Sequence, residues 1–494
     1  MRRIFSLCLL LIIGGVVAAC DSGSGGGGFI PTGDILAVAE RTGQNQTIKV
    51  GGTEGSVPAG STVEVTNIDT GETKTTVGLP DGSFDPEFTG NTNDIFNIQV
   101  INNGNVIRDE DIGVTLLRSA VRRNLDTLGS VPANIYVRGG LAYVINGFSN
   151  NIQIFDLNVS PPQQTGVIVV PMGSNPISMD FLDDTTAYVA NNTGQSVAVV
   201  DVVTGDCETL IVGEDDQGDS TPCTETVVLP GSPFEEPAGV LVANGKVYVS
   251  NNNLNEFFSP NGNGFINVID PSTNLITEII ETSGANTSSM ILLDGTVFAL
   301  NNGNILFDVD TFQFTCDFDF PPSIDELDPV SDDIINTIDI ELSEENPLVC
   351  LPGNLTAKED GFAYTGLGLV GALLKVDLFG GQVINGTDNP IIITDLSGLN
   401  NTADIAIKGD LLFTSLFNSD QIAVLDTNTD QVNPFPYITP FPAGIRGDDP
   451  NASIFDGVQS LAVRPGDDFT GADIYFITGI SMQLGSVDST LQTQ

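Results

Sequence analysis

The chain has 494 residues, enough for more than one domain and a large core. It carries 64 Asp and Glu against 16 Lys and Arg, a formal net charge of −48, and it contains neither His nor Trp. That charge sets nucleic acid and anionic lipid surfaces aside as partners, and the missing His removes Ser-His-Asp, Cys-His and His-metal chemistry.

Arg2 and Arg3 form a basic n-region, and Ile4 to Val17 form an apolar stretch of about 14 residues. A bilayer span needs roughly 20, so the pattern is that of a signal segment. The run Val17-Ala18-Ala19-Cys20 that follows resembles a bacterial lipobox. The resemblance implies a lipoprotein signal peptide over residues 1–19 and acylation of Cys20. Residues 20–32 then read as the lipidated Cys with a tether, because Gly/Ser chains such as Ser22 to Gly28 are flexible. More than one acyl chain anchors firmly. The expected location is the bacterial cell envelope, on its periplasmic or cell-surface face.

Residues 33–113 read as a separate β module. Thr62-Val63-Glu64-Val65-Thr66 alternates with period two, Asp69-Thr70-Gly71 supplies a turn, and Thr73 to Val77 returns. Asp94 to Ile101 gives a further strand. The stretch from Gly55-Ser56-Val57-Pro58-Ala59-Gly60 to Asp81-Gly82-Ser83-Phe84 resembles bacterial Ig-like surface modules. That resemblance implies a small β-sandwich acting as a spacer or adhesive unit.

From about residue 130 one phrase recurs. An apolar run ends in a pair such as Tyr-Val and a cluster of Asn or Gly; a second apolar run closes on an Asp. The clearest copy is Ala187-Tyr188-Val189-Ala190-Asn191-Asn192, then Ser196 to Asp201. Second strands are expected near Tyr143, Tyr188, Tyr248, Phe298, Tyr364, Phe413 and Tyr475, and third strands ending at Asp156, Asp201, Asp270, Asp310, Asp377, Asp426 and Asp488. The Asp156 to Asp201 spacing fits a propeller blade of about 40–45 residues. The phrase resembles the YVTN family of repeats, which implies an all-β fold: a β-propeller of about seven blades over residues 114–494. Repetition assigns the Asn and Asp residues to turns, where Asn and Gly accept positive φ and a carboxylate accepts backbone N–H groups. Few residues remain after Asp488, so the outer strand of the last blade is expected from within Val114 to Arg122, closing the ring.

Four Cys remain beyond the signal and Cys20. A local pairing, Cys207 with Cys223 and Cys316 with Cys350, would close two loops that interrupt the repeat, each stabilising by roughly 3 kcal/mol. Without CxxC or His, a metal–thiolate site is disfavoured. Both loops are acidic. The first carries Asp215, Asp216 and Asp219; the second, residues 317–345, carries eleven acidic residues and no basic one, among them Asp325, Asp328, Asp332 and Asp333. Neither has EF-hand spacing. A third candidate is the channel mouth, where segments entering the first strands carry Asn134, Asn175, Glu236, Asn286, Asn354, Asn401 and Asp404. Carboxylates and amides suit Ca²⁺ and no other cofactor is implied; calcium-dependent lactonase propellers use such residue types.

These readings converge on a lipid-anchored envelope protein whose propeller binds or scaffolds a protein, glycan or envelope component, rather than on an enzyme. The alternative is a Ca²⁺-dependent lactonase-like or other hydrolase using the central channel. No catalytic residue is assigned.

Overall fold

The computed structural model describes residues 35–487, except 40–45, 53–55, 81, 85, 92–93, 117–120, 160–161, 256–258, 309–312, 395–400, 420, 433–436, 439–456, 465–472 and 480–481. The expected signal segment, Cys20 and the expected tether lie outside these residues, as do Asp310 and Asp488. The described residues form strands and turns, with no helix.

In the first unit, Thr73–Val77, Thr62–Asn67 and Ile95–Asn102 pair antiparallel beside the long strand Asn105–Leu116. The far end of that strand pairs in parallel with Ile35–Ala39, which leads on to Gln46–Gly52 and Glu87–Gly90. Alternation drives the two sheets together. Val63 and Val65 point inward on one sheet and Ile48 and Val50 on the other, into one core with Phe88, Phe96 and Ile98.

Seven blades follow, each built on four antiparallel strands, with an added strand in blades 2, 5 and 6. From inside outward, blade 1 is Pro132–Arg138, Leu141–Asn146, Asn151–Asp156 and Gln163–Val169. The inner strands of the others are Pro176–Phe181, Pro237–Ala243, Thr287–Leu293, Pro352–Ala357, Thr402–Lys408 and Val458–Val463. Each packs beside the next, and that of blade 7 returns to that of blade 1. The nearly all-apolar middle strands follow from this geometry, because each blade is covered on both faces. In blade 1, Val144 and Phe155 face Ile477 and Leu484 of blade 7, while Ile145, Ile152 and Ile154 face Val189 and Ala198 of blade 2. Each such side chain contributes roughly 1.5–3 kcal/mol on burial.

Blade 7 has three strands of its own, Val458–Val463, Ile474–Thr478 and Gln483–Val487, and its outer strand is Val121–Thr127. The expected segment, 114–122, is therefore displaced. Residues up to Leu116 belong to the first unit, because Val114 pairs with Ala37, and the closing strand starts at Val121.

The turns between third and fourth strands follow one plan. The terminal Asp accepts backbone N–H groups two or three residues on: Asp156 from Asn158, Asp201 from Val203, Asp270 from Ser272, Asp328 from Val330, Asp377 from Gly380 and Asp426 from Asn428. The left-handed residue of the turn is then reached by the Tyr of the preceding blade. Tyr188 hydroxyl donates to Asn274 at 2.7 Å, Tyr248 to Asp332 at 2.7 Å and Tyr364 to Asp430 at 3.1 Å. Lys246 and Lys375 add ion pairs to the last two, at 2.6 and 2.7 Å. At these three seams the Tyr of the repeat is thus a blade-to-blade latch. Burial pushes the Tyr188 phenol up to about 12, so it stays a donor.

Blade 4 departs from the expected pattern. Its third strand ends not at Asp310 but at Asp328: Ser323–Asp328 pairs with Thr296–Asn301, and Asp333–Asp339 is the outer strand. Most of the expected acidic loop 317–345 is therefore blade. The insertion is instead a hairpin, Ile305–Asp308 with Gln313–Cys316. Its Ile-Leu-Phe-Asp sequence imitates the end of a third strand. Both local disulfides are present. Cys316–Cys350 fixes the foot of this hairpin, whereas Cys207–Cys223 ties the start of blade 2's fourth strand, Cys207–Gly213, to a fifth strand, Glu225–Leu229, running parallel outside it.

Candidate functional site: the axial girdle

An innermost strand has no partner on the channel side, so some of its backbone N–H groups face the axis. Each inner strand carries a bulge after its first residues. Just past the bulge, a corresponding residue recurs in every blade: Asn134, Ser178, Gly239, Ser289, Asn354, Asp404 and Ser460.

Five of these side chains, Asn354, Asp404, Ser460, Asn134 and Ser178, link into a chain around part of the axis. Asn354 Nδ2 donates to Asp404 Oδ1 at 2.5 Å, and Ser460 Oγ lies 2.5 Å from Asp404 Oδ2 and 2.8 Å from Asn134 Oδ1. Asn134 Nδ2 continues to Tyr136 hydroxyl at 3.1 Å, and that hydroxyl meets Ser178 Oγ at 3.2 Å. The same oxygens cap the channel-side N–H groups of neighbouring blades. Ser178 accepts from Val240 N, Ser289 from Leu355 N, Asp404 from Leu461 N and Tyr136 from Met179 N. One residue pair further along, Asp180 accepts from Val242 N at 2.7 Å. Gly239 leaves the chain without a side chain because none fits: a Cβ there would lie 2.1 Å from the Ser288 carbonyl oxygen, which accepts from Ser250 Oγ instead.

Asp404 is the girdle's charged member and is only 6% exposed. Oδ1 accepts from Asn354 and Ile405 N, and Oδ2 from Ser460 and Leu461 N. Burial raises its pKa against the pull of these four donors. Burial likewise lifts Asp180, and pushes the Tyr136 phenol up to about 12. Every Asp404 lone-pair direction already meets a donor. A cation would have to displace interblade hydrogen bonds to reach it.

The expected channel-mouth set divides into two layers. Asn134, Asn354 and Asp404 meet in the girdle through Ser460. Asn175, Glu236, Asn286 and Asn401 immediately precede the inner strands and sit at the rim; the first three adopt positive φ, at 48°, 49° and 61°. All four rim carbonyls accept from the turn of the same blade: Asn175 from Asn192 N, Glu236 from Asn252 N, Asn286 from Asn302 N and Asn401 from Phe417 N. Asn286 Oδ1 also accepts from Asn252 Nδ2 at 2.7 Å, and Glu236 from Gln195 Nε2 and Leu254 N. The sequence reading missed Tyr136, Ser178, Ser289 and Ser460. Aligning the seven inner strands on their first residue, Pro or Thr in six, exposes the column.

The acidic candidates separate as well. Asp325 is fully buried in blade 4, accepting from Asn301 Nδ2 and Ser283 N at 2.9 Å, from Thr337 Oγ1 at 2.8 Å, and from Ser283 Oγ. Asp328 caps its turn and Asp332 is a latch. Asp333 is exposed opposite Asp328. Asp215 and Asp219 are exposed; Thr221 N–H lowers the Asp219 pKa. Asp216 lies near Glu235, whose pKa is raised by burial and then by the charges of Glu236 and Asp216. Among the described residues, no three His, Cys, Asp or Glu side chains are grouped to hold a metal ion.

No family model matches the chain. No curated protein matches it either. Solved structures do. Hydrazine synthase from Kuenenia stuttgartiensis is similar at 16% identity over 74% of this chain and 97% of that one, with a TM-score of 0.52. Virginiamycin B lyase from Staphylococcus aureus aligns at 13% identity over 74% and 98%, with a TM-score of 0.48. This chain is an all-β propeller protein, as its own blade topology shows and the likeness to hydrazine synthase supports. At such identities the likeness extends to fold alone.

Proposed function

We propose that this protein is an exported, lipid-anchored binding or scaffold protein of the bacterial cell envelope. Cys20 carries the anchor, residues 20–32 the tether, residues 33–113 form an Ig-like spacer, and the YVTN-type propeller engages an envelope protein or glycan. The observation that supports a binding role over a channel enzyme is the girdle. The girdle's polar groups, which could activate a substrate or hold Ca²⁺ on the axis, are occupied in joining blade to blade, Asp404 above all. Binding is left to the loops and edges, the usual carriers of function on a rigid scaffold.

The test pairs turnover with location. Purified protein is assayed on a lactone and ester panel with Ca²⁺ or EDTA, and wild type and Cys20→Ser are compared by membrane fractionation and protease shaving of intact cells. No Ca²⁺-dependent turnover and a Cys20-dependent shift to the membrane are expected. EDTA-sensitive hydrolysis would replace this reading with the hydrolase.

A further inference from the structure

The propeller's two ends differ in where its basic side chains lie. Call upper the end where the chain enters the inner strands, and lower the end of the third-to-fourth-strand turns. Six basic side chains of the propeller bond at the lower end: Arg138 to Asp184, Lys246 to Asp332, Lys358 to Asp410, Lys375 to Asp430, Lys408 to Asp473, and Arg464 to Leu157 O and Asn158. Arg122 and Arg123 lie on the outermost strand of blade 7, Arg122 opposite Ser486. Arg446 is outside the described residues. Among the propeller's described residues, no Lys or Arg lies on a segment at the upper end.

The blade 4 hairpin stands at that upper end. Its inward side is fastened: Ile305 and Phe314 pack on the core shared with blade 5, and Cys316 is bonded to Cys350. Its exposed part is apolar on both faces. Leu306, on the face away from Ile305, is 51% exposed; Phe307, on the Ile305 side with its ring 4.8 Å from that of Phe314, is still 43% exposed; and Phe318, two residues past the hairpin, is 52% exposed. Exposed carboxylates flank it: Asp319 follows Phe318, and Glu344 and Glu345 lie on the segment whose Pro347 carbonyl accepts from Cys316 N. A held aromatic projection with a carboxylate border is the form of a docking anchor rather than of scattered surface apolarity.

We propose that the projecting hairpin, through Leu306 on one face and Phe307 on the other with Phe318 at its foot, docks a cationic polypeptide, one presenting an apolar socket bordered by Lys or Arg. Charge complementarity selects this occupant. The border is acidic with no described basic residue at that end, so a partner of opposite sign gains steering and register there. This inference rests on the binding role proposed above and specifies its surface.

The test uses the full chain and two labelled probes read by fluorescence anisotropy: an amphipathic Lys/Leu peptide and an oligolysine of equal charge. Leu306→Ser with Phe307→Ser is expected to weaken the Lys/Leu peptide at least about fivefold and leave oligolysine unchanged. Phe307→Leu should restore most of the loss, with all variants melting as wild type. Asp319→Asn with Glu344→Gln and Glu345→Gln should weaken both probes and flatten their salt dependence. Val330→Ser with Phe379→Ser, on lower-end turns, should change neither. Equal binding by the hairpin variant, or an equal loss from the lower-end variant, overturns the proposal. So does hairpin-dependent self-association in sedimentation, which assigns the face to a second copy, or hairpin-dependent binding to phosphatidylcholine vesicles, which assigns it to lipid. The Cys20-dependent fractionation is independent of these results, so loss of the docking face leaves the anchored reading standing.

Discussion

The lower and upper ends of the propeller start from the same repeat and solve opposite problems. At the lower end, Asp residues cap turns, Tyr188, Tyr248 and Tyr364 reach into the next blade, and lysines neutralise the carboxylates they meet. At the upper end, the rim residues feed the inner strands, while the insertion and its carboxylates face outward. The blade 4–5 junction marks the difference at single-residue level. Phe298 stands where Tyr248 stands in blade 3, and Gly381 stands where Asp332 does, both in the left-handed region. Polar latch and apolar contact are alternative solutions at the same seam. An acidic chain can therefore hold its lower end together by pairing and use its upper end for other purposes.

The largest effect should come from Asp325, whose place in the acidic segment suggested a surface. Asp325→Ala strands the amide of Asn301, the N–H of Ser283 and the hydroxyl of Thr337 inside blade 4. A loss of about 3 kcal/mol or more is expected in urea unfolding. A loss under about 1 kcal/mol would put Asp325 back among the solvated carboxylates and blur the division between core and surface in that segment.

Next comes Asp404, read through pH. Its folded pKa is raised, so the folded chain binds the proton more tightly than the unfolded chain. The associated stability is present below the ordinary Asp range and is lost as pH rises through the raised value. Asp404→Asn does not titrate there, and it sets an amide donor against the N–H of Leu461 or Ile405. The stability gap between wild type and variant should be widest in acid and narrow toward neutrality, measured by unfolding at a series of pH values. A gap that widens with rising pH would mean that the four donors outweigh burial.

The latches should be smaller. Tyr248→Phe with Asp332→Gly rebuilds the blade 4–5 arrangement at the blade 3–4 seam. Each single change is expected to cost about 1 kcal/mol, and a double-mutant cycle should return a coupling near 1 kcal/mol. No coupling would reduce the latch to two independent surface contacts.

How far the sequence disclosed this depended on which residues repeat. The second strands were legible because Tyr-Val and the Asn after it occupy fixed places, and buried Asn146, Asn191, Asn251 and Asn301 hold intrablade bonds. The terminal Asp was legible for the same reason. Blade 4 was misread because Ile305-Leu306-Phe307-Asp308 satisfies the third-strand pattern, whereas the true strand, Ser323–Asp328, has only two apolar residues, Ile324 and Leu327, among three carboxylates and so reads as an acidic loop. The girdle was half legible. Its column changes identity from Asn to Ser, Gly and Asp, and the bulge moves it off simple alternation. Asn134, Asn354 and Asp404 were therefore pooled with rim residues that precede the inner strands, while four hydroxyl-bearing members passed unnoticed.

The smallest expected effect sharpens the comparison most. Glu344→Gln with Glu345→Gln removes two exposed charges beside the hairpin, where no described Lys or Arg stands. Exposed carboxylates without a pairing cation contribute little to folding, so the change in stability should stay within about 0.5 kcal/mol. Relief of repulsion in a strongly acidic chain should make its sign stabilising at low salt and bring it to nothing at high salt. Denaturant titrations at two ionic strengths check this. If neutralising these glutamates instead destabilised the fold as much as breaking a latch, the upper end would be held together by its carboxylates as the lower end is. The distinction between a paired face and a presented face would then fail.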